Sequence, residues 1–521
     1  MVPGQRCNES NRVTCDSSGV LTRRRLLGIS AGAVGPLLLA GKRNPILAAL
    51  SEQLAQITPF KPCGPGASYV PRVMAVAYYQ PRDPKTGRPP EGQGYRHVGL
   101  TYDPKANYEG YLKQLREAAK KLNIQLDIAP APLFTADDAR QWRAQVEKKE
   151  PDGLVVMRLD FTAGPMMEVE TTLLGLDVPM LFFVPNQRMF GWGAYGLHER
   201  HTRPGRLLCA TQDFGYVVSR LNHLGARARL REMRFVNVAG NASTDTRLGF
   251  WGSRLRCVPL SRWHDQFIQQ KVKVNAEVKA IADYYTRTAQ RIVGPSPEAV
   301  LNGALCCIAA RNILETEEAD AFTMDCGAAA CGPTMPHSAA PCLAFARMMD
   351  DGVPAICEQD LTCGLPMALC QFLFGRPGFV HNLGWDTSCA SGGCFVSTHC
   401  TGPTRLRGTS KEPVPFELRF HHGQKDPMPM AIWTKGQEVT MVKVTKDKPV
   451  MSIVTGTVVD MLDPKRGGSC TQMIRWKPEG NYDVLKHPDV GGHHHLLLFG
   501  DCKKELLDFC HLFRISPKGA V

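Results

Sequence analysis

Between residues 70 and 184 apolar runs alternate with amphipathic ones, and this alternation constrains the fold more than any other feature of the chain. A strand is expected over 70–79, then a Pro/Gly-rich loop over 81–94. Tyr108, Tyr111, Leu112, Leu115 and Ala118 recur at helical spacing, which predicts a helix over 106–122. A strand at 124–128 and a helix at 135–149 follow, with Thr135 as its N-cap ahead of two aspartates. A buried strand at 152–158, a helix at 164–175 and a strand at 178–184 complete the pattern. Strands separated by helices build a parallel sheet with helices on both faces. No GxGxxG accompanies it, so a dinucleotide site has no support.

A second α/β segment begins near Arg206. Helices are expected over 213–232, 262–292 (long and charged), 297–316 and 338–351, and strands over 233–239 and 321–325. Beyond residue 403 short runs at 416–420, 428–433, 438–444 and 449–454 are separated by turn residues, the pattern of an antiparallel module or small barrel. A strand at 496–499 and a helix near 502–513 close the chain. The fold class is therefore α/β: two parallel-sheet α/β domains followed by a β-rich, barrel-like C-terminal domain. The expected divisions are 1–50 (export signal), 51–69 (linker), 70–204, 205–352 and 353–521.

The export signal rests on local order. Arg23, Arg24 and Arg25 precede an apolar run of 15 residues, 26–40, that carries no charge and contains Gly28, Gly32, Gly35 and Pro36. A membrane-spanning helix needs about 20 such residues. Charge, a short apolar run and then small residues is signal-peptide order, and the paired arginines make it a twin-arginine signal. An uncleaved N-terminal anchor is the alternative. The expected partner is the twin-arginine export machinery, and the expected location is the periplasm. The net charge of +13 is dispersed. Its densest group, Arg220, Arg227, Arg229, Arg231 and Arg234, has no interleaved aromatics, so nucleic-acid binding is not expected. Of the 19 cysteines eleven fall between Cys306 and Cys400, none in a C-x-x-C pair, which argues against a zinc ribbon or a thioredoxin-type site. Proteins exported by the twin-arginine route fold first, so buried, packing thiols are expected, with a few disulfides formed later.

Three clusters carry chemistry. In the first, a buried strand over 353–357 runs into Glu358 and Asp360. In an extended segment the two would share a side, at the carboxyl end of a parallel strand where α/β ligand sites form. Two adjacent carboxylates call for a metal, a proton or a basic partner. Asp360 is equally suited to cap the helix expected over 362–374. The second cluster is His399 and Cys400, just ahead of the β module. The third is Gly491, Gly492, His493, His494 and His495, where strand alternation would set His493 and His495 on one face and His494 on the other. Carboxylates with one imidazole suit Mn²⁺ or Mg²⁺.

The segment from Cys357 through Glu358, Asp360, Gly364, Leu365 and Pro366, then Phe374-Gly-Arg-Pro-Gly-Phe379 and His399-Cys400, resembles the L-fucose/L-arabinose isomerase superfamily. The closing His493–His495, Gly500 and Asp501, with Phe509, Leu512 and Ile515, is similar to that family's last strand and helix. The resemblance implies a divalent cation, usually Mn²⁺, held by two acids and a histidine, and an aldose–ketose isomerisation through an ene-diol. It implies Asp360 as the second acid and His494 as the metal histidine, since its distance to Gly500 agrees. Glu358 and His399 stand near the site as ligand or substrate contacts. The first acid should precede Asp360 by roughly two dozen residues, where the stretch 335–340 has no carboxylate. Asp325 is the nearest candidate, and Glu358 the substitute. The functional expectation is a metal-dependent isomerase-like protein acting on a small sugar: Glu358 and Asp360 catalytic, Asp360, His494 and Glu358 at the metal, and His399, Asp325, His493 and His495 at the substrate. Its rivals are a non-catalytic sugar-binding protein and a different metal-dependent reaction such as epimerisation. The family also implies a homo-oligomer.

Overall fold

The computed structural model describes residues 56–80, 104–159, 165–185, 202–271, 274–327, 339–389, 393–420, 427–462, 472–480 and 492–519. The export segment at 22–41, the loop at 81–94 and residues 335–338 lie outside them. The chain has parallel-sheet α/β regions followed by a closed antiparallel β-barrel, the class the sequence pattern predicts.

The first sheet has the order β2-β1-β3-β4-β5, all parallel, with β1 Arg72–Tyr78, β2 Gln125–Ile128, β3 Gly153–Arg158, β4 Met180–Val184 and β5 Arg206–Ala210. The central strands β3 and β4 are buried along their whole length, because helices cover both faces. Leu154, Val156 and Phe182 are fully buried, worth about 1.5–3 kcal/mol each. Helix α1, Pro104–Lys121, turns Tyr108, Leu112 and Leu115 inward. Helix α2, Ala136–Lys149, starts on a capping box in which Thr135 and Asp138 satisfy each other's backbone N–H. Helix α3, Pro165–Leu174, packs beside α2. The sheet runs past residue 204, since β5 pairs with β4 from Met180↔Arg206 to Val184↔Ala210.

The arginine-rich stretch lies on and after helix α4, Phe214–Glu232, capped by Asp213, and these side chains are tied down. Arg220 is buried against Asp508 (Nε–Oδ2 2.7 Å). Arg227 donates to the carbonyls of Phe250 and Trp251, Arg229 to that of Leu122, and Arg234 to that of Glu317, while Arg231 pairs with Asp152.

The second sheet has the order β11-β10-β6-β8-β7, with β6 Arg234–Val238, β7 Thr244–Arg247, β8 Arg254–Val258, β10 Ala321–Met324 and β11 Ala355–Ile356. All pairs are parallel except β7–β8. The long helix expected over 262–292 is two, α5 Ser261–Lys271 and α6 Ala276–Thr288. Asn275 takes an extended backbone and its side chain accepts from the Val278 N–H, which starts a new helix there. Ser296 and Pro297 begin α7, Pro297–Thr316, as expected, and α8 is Cys342–Asp350.

Six antiparallel strands close the barrel in the order β16-β19-β12-β13-β18-β17, with β16 paired back to β17. They are β12 Phe379–Asp386, β13 Cys394–His399, β16 Glu438–Val444, β17 Val450–Met461, β18 Gln472–Pro478 and β19 His494–Phe499. Closure leaves no free edge within the ring. Phe379, Phe395, Val439, Met441, Val454, Trp476 and Leu497 form its core. At Gly456 a Cβ would lie 2.3 Å from the Lys477 carbonyl oxygen, so only glycine lets β17 and β18 close there. Two of the short runs expected in the module stay outside the ring: β14 Phe416–Phe420 and β15 Pro427–Ala431 form a separate sheet with β9 Arg291–Ile292. Their places are taken by β12, β13 and β18. Helix α9, Leu361–Phe374, packs between α4 and the outer faces of β16 and β19. Helix α10, Lys503–Leu512, leads to β20, Ser516–Lys518, which pairs with β17.

The cysteines are mostly buried thiols, with one disulfide, Cys389–Cys394, among the described residues. No helix among those residues is long and apolar enough to cross a membrane.

Candidate metal centre

The site forms where the edge strand β11 meets the mouth of the barrel. After Ile356 the chain makes a tight 3₁₀ turn over Cys357–Gln359, not an extended segment. Glu358 (φ 57°) and Gln359 (φ 61°) are consecutive non-glycine residues in the left-handed region, at a cost of about 1–3 kcal/mol each. The turn is held from both sides. Gln359 Oε1 accepts from Asn237 Nδ2 (3.1 Å), and the Cys326 sulfur lies against Cys357 and the Glu358 backbone N–H.

The turn separates two carboxylates that an extended strand would have aligned. Glu358 points to a pair of imidazoles. Its Oε1 is 3.6 Å from His399 Nε2 and its Oε2 3.4 Å from His494 Nε2. The two Nε2 atoms are 3.3 Å apart. Two ligands about 2.1 Å from a shared ion sit roughly 3.0–3.4 Å apart for octahedral to tetrahedral angles; the His399–His494 and His494–Glu358 separations fall in that range and the His399–Glu358 one lies just above it. Glu358, His399 and His494 form a group that can hold a metal ion. Imidazole nitrogens with one carboxylate are donors for divalent transition ions. His399 is 1% exposed, and its Nδ1 has no hydrogen-bond partner among the described residues.

Asp360 stands behind the group. Its Oδ2 accepts from His494 Nδ1 at 3.0 Å, while its Oδ1 accepts from the Thr362 N–H (2.9 Å) and hydroxyl. Asp360 caps α9, one of its two expected roles. For the other, a ligand to the ion, it faces the imidazole's far nitrogen instead, and His399, expected at the substrate, stands in the group with Glu358 and His494. Burial raises the Asp360 pKa, but the His494 and Thr362 bonds outweigh burial and hold it down at about 2. A carboxylate on Nδ1 keeps the proton there and leaves the Nε2 lone pair free for an ion.

Barrel pairing brings the histidines in. Asn382 on β12 lies between Thr398 on β13 and His494 on β19, so the ends of β13 and β19 converge at the same mouth. His494 turns to the site. His495 turns into the barrel, where its ring lies 5.9 Å from that of His381. Burial drives the His381 pKa well below its ordinary value. A cavity of about 660 Å³ opens beside the group. The turn and α9 contribute Glu358, Gln359, Asp360 and Thr362, and the barrel contributes Asn382, Lys443, Gly492, His493 and His494. His493 thus lies at the cavity with His494, and His495 does not. Asp325 directly follows β10 and is not among the residues lining the cavity.

Lys443 and Asn382 are lining residues that sequence reasoning passed over. The signal for Lys443 was a lysine among Val439, Met441, Val442 and Val444 in the run 438–444. Compared with protein-family models and with curated proteins, the chain matches none.

Proposed function

We propose that the chain is a metal-dependent isomerase-like enzyme that interconverts an aldose and a ketose, as its resemblance to the L-fucose/L-arabinose isomerase superfamily implies. The observation that carries this reading is the convergence of Glu358, His399 and His494, with Asp360 behind His494, beside a cavity of about 660 Å³. Glu358, His399 and His494 would hold Mn²⁺ or another divalent cation. Such an ion, when bound, polarises the carbonyl and hydroxyl oxygens of an open-chain sugar and stabilises negative charge on them.

The reaction moves one proton from C2 to C1 and one from the C2 hydroxyl to the C1 oxygen, so it needs no oxidant or reductant. Asp360 fixes the His494 tautomer. The groups at the cavity that can carry the carbon-bound proton are Glu358, half-exposed beside two buried imidazoles, and His493. In this reading Asp360 acts on the reaction through His494. Export by the twin-arginine route and assembly into a homo-oligomer belong to the same reading, the first resting on residues 22–41 alone.

Elemental analysis of the purified protein tests the premise. Near-stoichiometric divalent metal, or uptake of added Mn²⁺, followed by ketose formation from at least one aldose, is the expected result. A protein that is metal-free and refuses Mn²⁺ would overturn the mechanism and leave a sugar-binding protein. Metal binding without ketose from any aldose, but with inversion at a sugar carbon, would mean an epimerase.

A further inference from the structure

Among the described residues, Lys443 is the one lysine lining the cavity, and its setting is unusual. It belongs to β16, in the same phase as Val439 and Met441, which point into the barrel core. It is 5% exposed, and among the described residues no hydrogen bond or ion pair engages its amine. That amine lies over Gly492, where a Cβ would come within 2.9 Å of Nζ. Gly492 has φ +116°, a backbone that favours glycine, so both backbone conformation and space keep room for the lysine at the cavity wall. Asn382 lines the same cavity and offers an amide donor there.

A nine-tenths buried ammonium without a partner is costly to keep. A structural role would place a carboxylate against it, yet Glu358 is directed at the two imidazoles and Asp360 at His494 and Thr362. Charge counting points the same way. Among the described residues lining the cavity, Glu358 and Asp360 together would balance a divalent ion, and Lys443 would leave one positive charge over. A neutral sugar would not compensate it.

We propose that Lys443, assisted by Asn382, is an anion-recognising specificity residue. The natural ligand would then be a polyhydroxylated chain ending in an anionic oxygen group, a carboxylate or a phosphate ester. This names the substrate class of the site above and rests on that reading for the reaction, though not for the binding. Lys443 presents up to three donors as a point charge, suited to either group.

The test is titration calorimetry on the full chain, with and without Mn²⁺, using three six-carbon probes: gluconate, glucitol 6-phosphate and neutral glucitol. Hydrogen bonds to a charged group predict that at least one anionic probe binds roughly tenfold or more tightly than glucitol. In Lys443→Met, and in Lys443→Gln as a second variant, that ratio should collapse towards one while Mn²⁺ affinity is retained. The better of the two anionic probes identifies carboxylate or phosphate as the source. The proposal is overturned if the unsubstituted protein binds neither anionic probe, or binds all three alike. It is equally overturned if the preference survives in the folded variants, since the anion would then be held by the metal or another group. The arm without metal separates the two readings. Failure to take up Mn²⁺ sinks the isomerase mechanism, whereas a Lys443-dependent anion preference in that same arm upholds the proposal by itself.

Discussion

Replacing Asp360 by Asn separates the residue that orients His494 from the residues that would touch the ion. Asp360 has two oxygens, both in use: Oδ1 holds the α9 N-terminus through Thr362, and Oδ2 accepts from His494 Nδ1 at 3.0 Å. Asparagine has one oxygen. If it keeps the cap, its amide N–H faces Nδ1, and the imidazole must accept there. The ring proton then moves to Nε2, the atom that faces Glu358 and His399, and blocks it as a ligand. If the oxygen keeps His494 instead, the helix cap weakens. Asn and Asp cap about equally well, so the first arrangement is favoured and the fold is retained. The lost charge-assisted hydrogen bond is worth about 1.5–3 kcal/mol, which raises the Mn²⁺ dissociation constant roughly 10- to 150-fold. Glu358→Gln removes a ligand outright and should cost more. Calorimetric Mn²⁺ titration of both variants, with thermal melting to confirm folding, reads the ranking. Unchanged affinity in Asp360→Asn would refute the orienting role. Loss as complete as in Glu358→Gln would mean that Asp360 is itself a ligand and that the imidazole geometry has been misread.

Three other perturbations test the frame that holds the site. Asp508→Ala strands the buried Arg220 guanidinium, and urea unfolding should show a loss of about 3–5 kcal/mol; a change below 1 kcal/mol would mean that Tyr216 or solvent compensates. Gly456→Ala forces a Cβ against the Lys477 carbonyl, so thermal unfolding should report about 1–3 kcal/mol of destabilisation, and an unshifted melting temperature would show that β17 can move aside. His223 is buried between α4 and α10, with Nε2 3.0 Å from the Glu505 carbonyl, and burial presses its pKa down to about 4. Because the folded state resists its protonation, its contribution is present above pH 6.5 and is lost as pH falls towards 4, up to roughly 3 kcal/mol. His223→Gln should make stability less steep over that window, and an identical pH slope in both proteins would assign acid sensitivity elsewhere.

What could be read from the chain beforehand was whatever short-range chemistry fixes. Thr135 and Ser296 each cap a helix because the side chain reaches an N–H three residues on. The run at 153–158 is a parallel strand because every position is apolar enough for burial on both faces, up to a final arginine. The same locality explains Asn275, a cap inside a stretch that periodicity alone would continue as one helix. The misses share a different cause. His399 meets His494 across 95 residues of sequence, through a barrel in which β12 stands between their strands, and no local pattern fixes that register. Lys443 sits in a run whose composition reads as core, and only barrel closure turns its end to a cavity. Glu358 and Asp360 were expected side by side because alternation assumes an extended backbone. Two left-handed residues break that assumption, and nothing in the identities of Glu358 and Gln359 favours such a turn. The strain is informative for that reason. A cheaper turn was available to a sequence with glycine at either position, and an extended strand would have left both carboxylates together and far from one of the imidazoles. The backbone conformation that local propensity opposes is the one that sends Glu358 to the histidines and Asp360 behind them.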